Sequence, residues 1–223
     1  MQQTVAGADL HRVKGAEFFL RSGTTGAYGI NDGSKAYAGP SFSYVKSSEA
    51  VKYFERFALD WQMRINGTYE NFVSKWLLDK NIPAVYELRF VLEDKYIHCP
   101  DFITGMVSDN GKLVLINPHT DINQKFMNEQ QLLRDLGFYI IIVSKKSTYY
   151  LEKVDSIDVL KFTDEYWHIE PSGAETVIKN RLDSIYERLQ RISKDEMMDR
   201  LSKMEGVNFM IGATYKLVYP AHP

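Results

Sequence analysis

A single cysteine, Cys99, stands in 223 residues. It excludes an internal disulfide and any zinc cluster built on several thiolates. Long apolar runs are missing too. The longest candidate, Phe138–Val143, is strand length, far short of the roughly 18 residues that a bilayer-crossing helix needs. Neither sign of charge dominates, with 27 Lys and Arg against 29 Asp and Glu. A net charge of −2 argues against a protein that grips nucleic acid by bulk charge, while leaving room for a local basic groove. Basic residues such as Lys145, Lys146, Arg181, Arg188, Arg191 and Lys194 are scattered among acids, the pattern of a solvated face. Met1 to Leu20 lacks an apolar signal core, which predicts that the chain is not exported by that route. The expectation is a soluble chain of the cytoplasm, or of a virion if its role is structural, with no membrane partner.

Familiar catalytic signatures are absent as well. Gly29-Ile-Asn-Asp-Gly-Ser-Lys35 looks superficially like a phosphate loop, but it lacks the Gly-Lys-Ser/Thr ending and the flanking strand and helix. No zinc-protease, nucleophile-elbow or kinase motif occurs. Of the five histidines, His11, His98, His168 and His222 form no metal-ligand spacing.

What is present is a globular composition, 44% hydrophobic and 13% aromatic. The chain divides into three stretches. Residues 1–45 read as a Gly-rich arm, since 22–40 is dense in Gly and Ser and has no sustained period. Its aromatic anchors, Tyr28, Tyr37, Phe42 and Tyr44, predict contact with a protein partner or another subunit. Residues 46–150 read as an α/β core. Ser47-Ser48 caps a helix whose apolar stripe runs Val51, Phe54, Ala58, Trp61, Ile65. A second helix follows from Thr68, with Tyr69, Phe72, Val73, Trp76 and Leu77 buried and Asn81-Ile-Pro83 as its stop. Three strands come next, over 85–92, 96–106 and 112–116, then a helix over 128–136 closed by Gly137, then a strand over 138–143. Leu113–Ile116 and Phe138–Val143 are almost wholly apolar, which predicts adjacent central strands covered on both faces. A strand after a helical crossover is most simply parallel to its predecessor. Residues 151–223 read as a helical extension: one or two edge strands by Phe162, one or two amphipathic helices over 174–205, and a terminal strand from Asn208.

The stretch from Glu70 to Val143 resembles the PD-(D/E)XK (restriction-endonuclease-like) nuclease superfamily in the order of its elements and in Pro100-Asp101 opening the apolar step Phe102-Ile103. The resemblance implies a mixed central sheet flanked by helices, and metal-assisted hydrolysis of DNA. A hard divalent cation such as Mg²⁺ lowers the pKa of a bound water and offsets phosphate charge, and it takes carboxylate oxygens as ligands. By analogy Asp101 is the first metal ligand and Glu70 the helix acid. The second half of the motif departs from the pattern: Ile116-Asn-Pro-His119 puts Asn117 where an acid is expected and His119 where a lysine is expected. Asn is a weaker ligand than a carboxylate and His titrates differently from Lys. The very-short-patch repair endonucleases, one branch of the superfamily, use a His near this strand end. That analogy makes His119 the general base and Asn117 a weak ligand or orienter, with Asp121 and Lys125 as downstream substitutes. The alternative is a non-catalytic protein, such as a virion head-completion or connector component, that keeps the fold as a scaffold.

Overall fold

The structure, a computed structural model, describes residues 3–5, 36–65, 67–92, 95–96, 100–119, 124–145, 161–205 and 207–218. The readings placed on 6–35, on Cys99, on Asp121 and on 149–160 lie outside the described residues. In chain order the elements are β1 (Gln3–Val5), β2 (Ala36–Lys46), α1 (Ser47–Phe54), α2 (Thr68–Asp79), β3 (Ala84–Tyr86), β4 (Arg89–Leu92) and β5 (Lys95–Tyr96). They continue with β6 (Phe102–Val107), β7 (Leu113–Pro118), α3 (Gln124–Asp135), β8 (Tyr139–Lys145) and β9 (Glu165–Ile169). The last are α4 (Ala174–Arg188), β10 (Gln190–Arg191), α5 (Lys194–Ser202) and β11 (Asn208–Val218). No helix among the described residues is long and apolar enough to cross a membrane.

Contacts divide the chain into two compact units. One combines Phe54–Leu88 with His98–Leu201, and the other combines Met1–Tyr53, Arg89–Ile97 and Ser202–Pro223. The first unit is a mixed sheet with helices on both faces, in the order β10-β6-β7-β8-β9, with β3 also paired to β6. β3, β6 and β7 run antiparallel in succession, and β8 lies parallel to β7 with Leu115 opposite Ile140 and Ile116 opposite Ile141. The two apolar runs are thus neighbours inside the sheet, and every residue of β7 is buried. Val114, Ile116, Ile141 and Val143 pack with Val73, Trp76 and Leu77 of α2 and with Ile178, Leu182 and Ile185 of α4. Residues of the opposite register, such as Asn117, turn to α3.

Several expectations need correction. The first helix stops at Phe54 and a 3₁₀ turn over Glu55–Phe57 replaces its continuation. Ala58 bridges to Val85, the Leu59 N–H donates to the Ala84 carbonyl (2.8 Å), and the Asp60 carboxylate accepts the Gln62 N–H (2.7 Å). Backbone pairing with the sheet therefore wins over the helical period, and Trp61, read as part of a buried stripe, is 65% exposed. Thr68 is the first helical residue of α2, with Gly67 in the cap position. The strand expected over 85–92 is two strands, because Glu87 takes a left-handed φ of 52° and breaks the extended run. α4 packs into the core of the sheet. β9, parallel to β8 at the edge, was not anticipated.

The second unit is a five-stranded sheet in the order β1-β2-β11-β4-β5. Residues 36–46, read largely as arm, are a strand that pairs antiparallel with β11 along its length. Gly and Ser content lowers intrinsic strand preference, and cross-strand pairing overrides it.

Candidate functional site

Gly67 caps α2 with an extended backbone, and Glu70 follows in the first turn of the helix. The Glu70 carboxylate folds back over the cap so closely that a Cβ at position 67 would collide with its Oε1. A larger residue here would have to displace that carboxylate, the far end of a flexible side chain. The Tyr86 hydroxyl on β3 donates to Glu70 Oε2 at 2.7 Å. Burial, followed by this bond to an anion, raises the Tyr86 phenol above its ordinary range and keeps the proton on the donor.

Asp101 precedes β6 and is tied down through its backbone. Its N–H donates to Asn117 Oδ1 (2.9 Å) and its carbonyl accepts the Glu87 N–H (3.0 Å). Asp101 is half-buried as a residue, yet its Oδ2 is shut off from solvent and has no hydrogen-bond partner. Desolvation first, then the negative charges of Glu70 and Glu87, pushes its carboxyl well above the usual carboxylate range. A carboxyl whose folded pKa is raised adds stability fully present below its unfolded pKa near 4, lost as pH rises through the folded value. Asp101→Asn is therefore expected to stabilise the chain by on the order of 1 kcal/mol or more at neutral pH. The advantage should shrink steadily as the medium is acidified toward pH ~4. Thermal melts of both proteins across that range measure it. An advantage that does not change with pH would mean that the carboxyl titrates normally.

Asn117, on β7, has 0% exposure. Both ends of its amide are engaged: Oδ1 takes the Asp101 N–H, and Nδ2 donates to Gln130 Oε1 on α3 at 2.8 Å. His119 lies just past β7, where its N–H donates to the Val143 carbonyl (3.0 Å). Its ring stacks on Phe126 of α3, centroids 4.1 Å apart and planes at 5°. Asp101 is thus the joint between two groups. Glu70, Tyr86 and Glu87 surround its carboxyl electrostatically, while Asn117 and His119 are built into contacts with α3.

A small cleft of about 250 Å³ opens beside Glu70, lined also by Gly67, Thr68, Phe72, Pro118 and Lys145. It lies at the start of α2 and outside the carboxyl ends of the parallel strands β7 and β8, the usual place for ligands in sheets with parallel strands. Lys145, exposed at the end of β8, was read from the sequence only as part of a scattered basic surface.

The donor set does not fit a Mg²⁺ centre as it stands. One Glu70 oxygen holds Tyr86, the Asn117 oxygen holds a backbone N–H, and the Asp101 Oδ2 is shut off from solvent. Among the described residues no three His, Cys, Asp or Glu side chains are grouped so as to hold a metal ion. The substitutes Asp121 and Lys125 add nothing here, since Asp121 is outside the described residues and only the backbone of Lys125 is described. The fold is α/β with a mixed sheet flanked by helices. No protein-family model, no curated protein and no solved structure matches this chain.

Proposed function

We propose that this chain is a non-catalytic assembly protein, of the head-completion or connector kind, that keeps a nuclease-type sheet as its scaffold. The order α2-β3-β6-β7-α3-β8, with three antiparallel strands and then a parallel one, supports the nuclease-type part of the reading. The observation that carries the non-catalytic part is Asn117. At the position of the motif's second acid, a fully buried amide joins the start of β6 to α3, with both polar ends occupied. A group so placed maintains the geometry of the strand pair and offers nothing to a metal or a phosphate.

A hydrolytic reading, with DNA as substrate and Mg²⁺ as cofactor, is favoured by one observation, the buried and unpartnered Asp101 Oδ2 with a perturbed carboxyl. Groups of this type gather at active sites. In that reading Glu70 and Asp101 are the metal ligands and His119 handles the water. Incubating the full chain with supercoiled and linear DNA, in Mg²⁺ and separately in Mn²⁺, separates the two. The assembly reading expects intact DNA. Cleavage by the wild type that is lost in Asp101→Asn would overturn it in favour of the nuclease.

A further inference from the structure

Every residue of β6 and β7 is buried, whereas Asp109, Asn110 and Gly111 in the turn between them are exposed. The Gly111 N–H donates to the Ser108 carbonyl (2.8 Å), and the Ser108 N–H donates to the Lys112 carbonyl (2.9 Å). Gly111 has a φ of 79°, the left-handed residue that closes a short hairpin loop. Asn110 therefore stands directly before a glycine at an exposed hairpin tip.

An asparagine can react with its own backbone when nothing crowds the residue after it. The backbone nitrogen of that next residue attacks the side-chain Cγ, forming a C–N bond and losing its proton. Nδ2 departs as ammonia, which leaves a cyclic succinimide. Water then opens the ring at one of its carbonyls and gives aspartate or isoaspartate. No oxidant or reductant takes part, and water is the co-reactant. Both steric conditions are met here. Gly111 has no side chain to obstruct the attack, and a Cβ placed there would meet nothing within 4 Å beyond its chain neighbours. Among the described residues no hydrogen bond holds the Asn110 side-chain amide.

Two contacts oppose the reaction. The attacking nitrogen is the one bonded to the Ser108 carbonyl, so the tip must open before it can reach Cγ. Exposed backbone bonds of this kind open at a far lower free energy than the buried strands beside them. The second contact comes from 89 residues further along the chain. Arg200 on α5 donates Nη1 to the Gly111 carbonyl at 3.0 Å, while its Nη2 holds Glu196 Oε1 at 2.8 Å.

We propose that Asn110 is a site of spontaneous deamidation, and that Arg200 restrains it by tying Gly111 to α5. The inference is independent of the assembly reading. Conversion adds a negative charge beside Asp109, and isoaspartate also lengthens the backbone of the turn. It does so at the closed end of the strand pair whose open end carries Asp101 and Asn117.

The full-length wild type and Arg200→Ala, kept folded at mildly alkaline pH, are sampled over time and mapped as peptides by mass spectrometry. Aspartate and isoaspartate are resolved by chromatography. The second Asn-Gly pair of the sequence, Asn66-Gly67, is the reference within the same digests. The expected result is conversion of Asn110 to both products in the wild type. In Arg200→Ala it should run several-fold faster, with the rate at Asn66 unchanged. An Asn110 that stays intact in the folded wild type overturns the site. Equal rates at Asn110 in the two proteins overturn the restraint by Arg200. Acceleration by the same factor at Asn66 does so too, since it reports a general loosening of the chain.

Discussion

Asn117→Ala is expected to destabilise the α/β unit by about 2–4 kcal/mol, because it strips one buried and one part-buried group of their partners at once. The Asp101 N–H, in a part-buried place, loses its acceptor, and the fully buried Gln130 Oε1 loses its donor. Gln130→Met, a change of similar volume, should cost less, about 1 kcal/mol, since it leaves only Asn117 Nδ2 unsatisfied. Gln130 Nε2 is already buried without a partner, so removing it relieves a cost that the wild type carries. Urea denaturation of the three proteins measures the order, provided that the slopes agree. A neutral Asn117→Ala would show that the amide is not structural, and the non-catalytic reading would lose the observation that carries it.

The largest packing effect is expected at Trp76. Its side chain is buried where α2, α4 and the sheet meet, and Trp76→Ala should cost about 3–5 kcal/mol. The ring also makes directional contacts. Its Nε1–H donates to Asp183 Oδ1 (3.0 Å), and Tyr186 of α4 packs edge-on at 5.9 Å between centroids. Lys80 completes the cluster by pairing with Asp183 at 2.9 Å. The bonds from Lys80 and then Trp76 hold the Asp183 carboxyl below its usual range. Asp183 is partly exposed, so Asp183→Asn should change stability by less than about 1 kcal/mol. The contrast between the two substitutions, read from denaturation midpoints, tests whether apolar burial rather than the ion pair holds α2 to α4. Equal losses would reject that division.

The elements legible in the sequence are those whose pattern comes from burial along one segment. α2 shows its stripe of Tyr69, Val73, Trp76 and Leu77, and β7 and β8 show their apolar runs, because each is covered by the same core. The crossover through α3 then makes the parallel pairing of β7 and β8 readable too. Elements decided by distant partners were misread. β2 carries Gly39, Pro40 and two serines among its aromatics and pairs as a strand with β11, which lies more than 150 residues later in the sequence. The apolar period of the first helix continues to Ile65, but Ala58 and Leu59 find backbone partners on β3 first. β9 carries Tyr, Trp and Ile in a five-residue strand too short for alternation to stand out.

The candidate site divides in the same way. That Asp101 and Asn117 lie side by side could be read from their places, just before one strand and near the end of the next antiparallel one. Gln130 and Phe126, which fix the roles of Asn117 and His119, come from the opposite wall of the sheet. Their spacing in the sequence carries no trace of those contacts. The surroundings of the Asp101 carboxyl are hidden for the same reason: Glu70 and Glu87 are brought to it by α2 and by the kink after β3.

The position of β11 bears on how the chain emerges from the ribosome. Within its sheet β11 is the middle strand, and β1, β2, β4 and β5 all precede it in the sequence. Among the described strands, the β1–β2 pair and the β4–β5 pair have no strand between them until it is made. More than a hundred residues separate β5 from β11, which at about 5–20 residues per second is a delay on the order of ten seconds. The α/β unit is encoded almost entirely within that interval and before it, so vectorial synthesis lets it close first. During the wait the earlier strands carry open edges at high local concentration on a polysome, the circumstance in which neighbouring nascent chains pair with each other.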